Sequence, residues 1–229
     1  MKTEKQSFRK LKQTVFHILS QDDCDRAVGE IVSLPLRRVV NPLFSFFYHR
    51  EEIIRWHAIT AMGVAAARLA DEDTEAARVV MRRLIWNLND ESGGIGWGSP
   101  EALGEIMARS HRLAEEYNFL LISYINPEGN YIEYDMLQRG VLWGLGRLAH
   151  VRPQLVQQAP PLLIPYLHSP DDIVRGLATW VAGAFENCQE LHPLIESLTS
   201  DNTVIKLFED KKLIEISISR LAAAALAQS

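Results

Sequence analysis

Apolar residues recur along this chain at the spacing of amphipathic helices. Stretches such as IIRWHAITAMG and LQRGVLWGLG place apolar side chains three or four positions apart, and turn-forming residues separate one stretch from the next. No alternation of Val, Ile and Thr bounded by hairpin turns stands out, so we expect no β-sheet. The pattern predicts an all-α protein.

Small residues within the helical stretches mark a period of about forty residues. They stand at Gly63, Gly104, Gly146, Gly183 and Ala223. Each marked stretch, which we name helix B, follows a second apolar stretch, helix A, and a turn rich in Asp, Asn, Pro or Gly. A small residue lets neighbouring helices approach closely, and such helical pairs bury their apolar faces by stacking on one another. The period therefore predicts a repeat array.

The turns and the first residues of helix B point to a particular repeat class. The turn at residues 169–172, Ser-Pro-Asp-Asp, fits a helix start with its N-cap. Arg175 matches an arginine that HEAT-like units often carry early in helix B, and Arg55 and Gln138 occupy the equivalent place. The chain thus resembles HEAT-like repeats of the type first recognised in phycobilisome lyases, from residue ~40 onward.

This resemblance implies the architecture of the whole chain. We expect a right-handed α-solenoid of about five helical hairpins. Residues 1–38 are assigned to an N-terminal helical cap and residues 39–229 to the repeat array, the two forming a single elongated domain.

The N-terminal segment is a basic amphipathic helix. Its basic residues are Lys2, Lys5, Arg9, Lys10 and Lys12. We interpret it as the helix that covers the open end of the array, although such a helix could also contact a membrane surface or an acidic partner. No apolar run is long enough for a signal peptide or for a membrane span.

The turn of the second unit is much longer than the others. It runs from Asn89 to Ser99 through four glycines, and Ser99 is the expected N-cap of the following helix, with Pro100 at its first position. Trp97 stands among the glycines and cannot be buried by its own loop. It therefore packs on the array, on a ligand or on a partner.

Carboxylates around this loop form a predicted acidic pocket. Asp90 and Glu91 begin the loop, and Glu101 and Glu105 lie one turn apart on the next helix. Such a group suits a cation, an amine or a basic peptide. The alternative is a structural role, in which Asp90 and Glu91 begin a turn and the charge of Glu101 interacts favourably with the helix dipole.

Neighbouring units supply further candidates, because the B helices of such an array line its concave face. The predicted binding residues, with the loop included, are Arg55, His57, Asp90, Glu91, Ser92, Gly94, Trp97, Glu101, Glu105, Tyr134 and Arg139. We expect Trp56, Trp143 and Trp180 in the core between repeats.

Several specific sites are excluded by their spacing. Ser99 stands where a dinucleotide fingerprint needs its third glycine, and Ser92 stands at the glycine position of an EF-hand loop. The His-Glu pairs of HEAT-type di-iron hydroxylases are absent from the sequence. We predict no metal site, no cofactor and no catalytic residue.

The segment from Trp86 to Glu105, together with IIRWHAITAMG, resembles an uncharacterised bacterial subfamily of HEAT-repeat proteins. The resemblance covers residues 52–150 best. It implies that the Asn-Asp-Glu-Ser-Gly-Gly loop is a hallmark of that subfamily, and it implies no activity.

Composition narrows the function. The 229 residues carry a net charge of −5, which disfavours a nucleic-acid partner, and the two cysteines suit a reducing cytoplasm.

We expect a cytoplasmic adaptor that binds a protein or peptide on its concave face, with the loop of residues 89–99 setting specificity. The alternative is a small-ligand-binding protein or an enzyme with an acidic pocket at residues 89–105. A HEAT-like alkylpurine DNA glycosylase fits least, because its groove needs basic residues.

Overall fold

The computed structural model describes residues 8–89, 96–186 and 189–227. These residues form twelve α-helices, two short 3₁₀ turns at Pro153–Leu155 and Leu198–Ser200, and one antiparallel pair of strands. The helices are α1 Phe8–Leu19, α2 Cys24–Val32, α3 Leu36–Phe44, α4 Glu52–Glu72, α5 Thr74–Leu88, α6 Ser99–Arg109, α7 His111–Ile125, α8 Asp135–Ala149, α9 Pro160–Leu167, α10 Asp172–Ala182, α11 His192–Ser197 and α12 Ile218–Leu226. The strands are β1 Val204–Glu209 and β2 Lys212–Ser217.

The helices alternate between two layers, which confirms the predicted α-solenoid. Helices α3, α5, α7, α9 and α11 are the A helices, and α4, α6, α8, α10 and α12 are the B helices. Successive B helices pack directly against one another, whereas successive A helices share few contacts. The B helices are therefore closer together, and the array curves toward them, so that they form its concave face. Helices α1 and α2 pack on α3 and α4 at the N-terminal end.

The small residues of the repeat lie where B helices cross. A Cβ atom on Gly104 in α6 would lie 2.2 Å from the carbonyl oxygen of Gly144 in α8, and one on Gly146 would lie 2.4 Å from the Trp180 ring. Both separations are far below van der Waals contact, so any larger residue would force the helices apart. The small residues recur once per repeat because each close crossing of two B helices needs one.

The predicted helix start at residues 169–172 is also present. The Asp171 carboxylate accepts hydrogen bonds from the backbone N–H groups of Ile173 and Val174, at 2.9 and 3.0 Å. Arg175, one turn later, donates to Asp201 of the fifth unit at 2.8 Å. The arginine of helix B thus joins its own unit to the next.

The expectation that the chain has no sheet is wrong in the fifth unit. Strands β1 and β2 form a hairpin in which Ile205 faces Ile216 and Leu207 faces Ile214. The turn residues Asp210 and Lys211 both have positive φ, 47° and 64°. The first four residues of the stretch IEISISRLAAA, which the period assigns to helix B, belong to β2, since α12 begins only at Ile218.

No helix in the described ranges has both the length and the apolar composition needed to cross a bilayer. The N-terminal residues Lys2 and Lys5 lie outside those ranges, so the role of the basic helix stays a prediction, as does the division at residue 38. Within α1, the apolar stripe Leu11, Val15 and Ile18 is buried.

Candidate functional site

The β-hairpin lies across the concave face. The ring of Phe208 stacks on Trp56 of α4, with ring centroids 4.6 Å apart and an interplanar angle of 3°. The Lys206 Nζ atom lies 2.9 Å from a carboxylate oxygen of Glu52, and Lys211 pairs with Asp25 of α2. A segment of the fifth unit therefore reaches back to the first unit and to the N-terminal helices.

Two tryptophans of the B helices hold the hairpin by hydrogen bonds. The Nε1–H group of Trp143 in α8 donates to the Phe208 carbonyl oxygen at 2.9 Å, and that of Trp180 in α10 donates to the Glu209 carboxylate at 2.8 Å. Both side chains are buried, as predicted. However, the neighbouring repeat buries them only in part, and the hairpin buries the remainder.

A cavity of about 380 Å³ lies between the hairpin and helices α4, α6 and α8. Such a volume is typical of a small-molecule site. Its apolar walls come from Trp56, Ile59, Leu137, Trp143, Ile205 and Phe208. Trp97 and Gly98, from the end of the long turn, also line it.

Glu101 of α6 is the unusual side chain of this cavity. Its Oε2 atom is fully buried and has no hydrogen-bond partner, although the residue as a whole is partly exposed. Burial raises the pKa of this carboxyl to about 7, against the opposing effects of its own backbone N–H and of the Arg55 charge. The carboxylate lies against α8, since a Cβ on Gly140 would be 2.7 Å from Oε2.

The other charged groups of this cavity are paired. Arg55 and Lys206 both contact Glu52, at 3.4 and 2.9 Å, and Arg139 pairs with Asp171. Arg55, Arg139, Trp97 and Glu101 are therefore four predicted binding residues that the structure brings to one cavity.

Glu105 is one turn from Glu101 but belongs to different surroundings. It is buried and accepts hydrogen bonds from Arg109 on its own helix and from Arg147 of α8, each at 2.6 Å. It lines a second cavity of about 340 Å³, beneath the hairpin turn, with Thr60, Arg147 and Lys211. Of the predicted acidic pocket, Glu101 and Glu105 therefore line different cavities, and Glu105 already has two cationic partners.

Other predicted residues lie away from the cavity. His57 is fully buried, and its Nδ1–H group donates to the carbonyl oxygen of Leu19 at 2.9 Å. Burial lowers the pKa of this imidazole, which therefore acts as a neutral link between α4 and the end of α1. Tyr134 is exposed as the N-cap residue of α8 and does not line the cavity. Asp90, Glu91, Ser92 and Gly94 lie outside the described residues.

The predicted N-cap at Ser99 is wrong by one residue. Gly98 occupies that place with a φ of 74°, and Ser99 is the first helical residue, with a buried hydroxyl that has no hydrogen-bond partner. A left-handed conformation favours glycine over serine. A Cβ on Gly98 would also lie 2.7 Å from the Phe47 side chain.

Sequence reasoning missed the hairpin residues Lys206, Phe208 and Glu209. A short signal was present, since apolar and polar residues alternate from Ile205 to Leu207 and again from Ile214 to Ser217.

Similar proteins support the repeat architecture. A family model described as HEAT-like repeat matches residues 135–181, which span α8 to α10. An uncharacterized protein of Archaeoglobus fulgidus is 22% identical over 183 residues, covering 78% of this chain and 91% of the relative.

Solved structures of designed repeat proteins share the fold. A designed armadillo repeat protein in complex with the peptide (KR)4 superposes with a TM-score of 0.54 and 16% identity, over 96% of this chain and 99% of that one. A computationally designed armadillo repeat protein for modular peptide recognition has a TM-score of 0.52 and 15% identity, over 95% and 99%. Together with the HEAT-like match over residues 135–181, these likenesses show that the chain has an α-helical repeat fold similar to that of armadillo repeat proteins.

Proposed function

We propose that this protein is a binding scaffold that holds an extended peptide segment of a partner on its concave face. The observation that carries the proposal is the hairpin itself. Strand β1 is an extended segment, and the B helices hold it by ring stacking on Phe208 and by an indole N–H bond to its backbone carbonyl. The face therefore has the chemistry that peptide recognition needs.

The charges along this contact favour a basic partner segment. The hairpin contributes Lys206 and Lys211, and the array contributes Glu52 and Asp25. A partner with an aromatic residue flanked by lysine or arginine would satisfy the same groups. The designed armadillo protein with a similar fold was solved with a peptide of this charge, (KR)4.

The hairpin and the partner would occupy the same face, so partner binding requires the hairpin to move aside. The end of the long turn borders the contact through Trp97 and Gly98. We therefore propose that the loop of residues 89–99 contributes to specificity, as the sequence suggests.

A synthetic peptide of residues 203–218 tests the proposal in trans. Phe208→Ala removes the ring that anchors the hairpin, so this variant should bind the peptide at least tenfold more tightly than the parent protein does. Titration calorimetry measures the affinity. Trp143→Phe, added to Phe208→Ala, should weaken binding by removing the indole donor.

The matched control is Trp86→Phe, because Trp86 is 63% exposed on the A helix α5. Combined with Phe208→Ala, it should leave the affinity unchanged. The proposal is wrong if the folded Phe208→Ala variant shows no saturable binding, or if Trp86→Phe weakens binding as much as Trp143→Phe.

A further inference from the structure

The cavity beside Glu101 shares Trp56 and Trp143 with the proposed peptide contact, but it exists while the hairpin is in place. Its roof is the hairpin, through Ile205 and Phe208, and its walls are Trp56 of α4 and Trp143 of α8. A partly open cleft with aromatic walls and a few polar groups is a usual form of a small-ligand site.

The polar group of interest is the Glu101 carboxyl, which forms no ion pair with a described residue, although the charge of Arg55 acts on it. Oε2 of Glu101 is fully buried and accepts no hydrogen bond from any described residue. Burying a carboxyl oxygen without a hydrogen bond lowers the stability of the folded state, and native structures contain few such groups. A ligand that donates a hydrogen bond and carries positive charge would remove the cost.

The charged groups that face Glu101 from the neighbouring elements are paired elsewhere. Helix α4 contributes Glu52 and Arg55, which contact each other, and β1 contributes Lys206, which also contacts Glu52. Helix α8 contributes Arg139, which is paired with Asp171. Each cation at this cavity thus has a carboxylate partner, and Glu101 is the carboxylate left without one.

We propose that this cavity binds a small organic cation, an amine that carries an apolar or aromatic group. The ammonium group would donate to Oε2 of Glu101, and the parts of Trp56, Trp143 and Phe208 that line the cavity would contact the apolar group of the ligand. A metal ion fits less well, because the described residues nowhere bring together three His, Cys, Asp or Glu side chains. This site does not depend on the proposed peptide binding.

The test uses 2-phenylethylamine as the probe, with 2-phenylethanol and 3-phenylpropionate as its neutral and anionic counterparts. Binding to the full chain is followed by calorimetry and by tryptophan fluorescence, since Trp56 and Trp143 line the cavity. One charge-assisted hydrogen bond predicts that the amine binds at least tenfold more tightly than the alcohol, and that the carboxylate binds most weakly.

Glu101→Gln keeps the shape of the side chain and removes its charge, so this variant should lose the preference for the amine over the alcohol. Glu115→Gln makes the same change of net charge on the outer helix α7, where Glu115 is exposed and contacts His111, and it should keep the preference. Equal affinity for amine and alcohol in the parent protein would refute the proposal. So would a folded Glu101→Gln variant that still prefers the amine. If Glu101→Gln fails to fold, the comparison of the three probes on the parent protein decides.

Discussion

The indole N–H of Trp143 donates to the carbonyl oxygen of Phe208, a residue 65 positions later in the chain. The Phe208 ring meanwhile stacks on Trp56, so one residue of the hairpin is held by side chains from two B helices. An aromatic residue at 4% exposure with such contacts contributes strongly to stability.

Phe208→Ala should lower the free energy of unfolding by about 3 kcal/mol, because it removes a buried ring and leaves a cavity beside two tryptophans. Urea denaturation followed by tryptophan fluorescence measures this change. Phe119→Ala is the control, since Phe119 is 57% exposed and should change stability little. Equal losses in the two variants would mean that the hairpin is not anchored through this ring.

Gly104→Ala should destabilise the protein by about 2 kcal/mol or more, because its Cβ would overlap the backbone of Gly144, which cannot rotate away. Gly29→Ala in α2 is the matched control. Nothing lies within 4 Å of a Cβ at Gly29, so the helix propensity of alanine should stabilise that variant by about 0.5–1 kcal/mol. Thermal unfolding of both variants gives the sign of each effect, and a neutral Gly104→Ala would contradict the crossing geometry.

Glu105→Gln should cost about 1–3 kcal/mol, because Arg109 and Arg147 would lose the carboxylate that accepts from both. Because 26% and 30% of the side-chain area of the two arginines is exposed, this loss of stability should be smaller than that for a fully buried ion pair. Glu115→Gln, an exposed position, should change the free energy of unfolding by much less. Chemical denaturation of the two variants distinguishes these outcomes.

The stability of the protein should depend on the ionisation of Glu101. Its pKa is raised from 4.5 to about 7 in the folded state, so the unfolded chain ionises this carboxyl first as the pH rises. The folded state is therefore penalised progressively from about pH 4.5, and the penalty is complete above about pH 7. Allowing for partial exposure, we expect it to reach about 2 kcal/mol.

The check is the difference in unfolding free energy between Glu101→Gln and the parent protein, measured at several pH values. Other groups titrate in both proteins and cancel in this difference. It should shift in favour of the variant by about 2 kcal/mol between about pH 4 and about pH 8. A difference that stays constant with pH would show that this carboxyl titrates normally.

The repeat could be predicted from the sequence because its determinants are either local or periodic. Asp171 caps the helix that follows it, and Gly104 and Gly146 recur at the repeat period where B helices cross. The sequence could not show whether Gly98 or Ser99 is the N-cap, since both residue types occur there. The backbone conformation of Gly98 decides between them.

The candidate site was harder to predict because its determinants are distant in sequence. Glu101 and Glu105 lie one turn apart on one helix, and two arginines distinguish them: Arg109, four residues after Glu105, and Arg147, which comes from the next unit. The hairpin was not predicted because Ala223 falls at the repeat period, so the residues before it were assigned to a helix. Its turn, Asp210-Lys211, also lacks the glycine that usually marks such a turn.

The hairpin changes the connectivity of the array as well as its surface. In an open solenoid each unit contacts only its neighbours, so the ends can fray independently. Here Lys206 contacts Glu52 across 154 positions, and Phe208 stacks on Trp56 between the same two regions. The chain is closed on itself, and opening one end must open the other. We therefore expect a single cooperative unfolding transition and comparatively slow folding, because the closing contacts form only after the intervening units are in place.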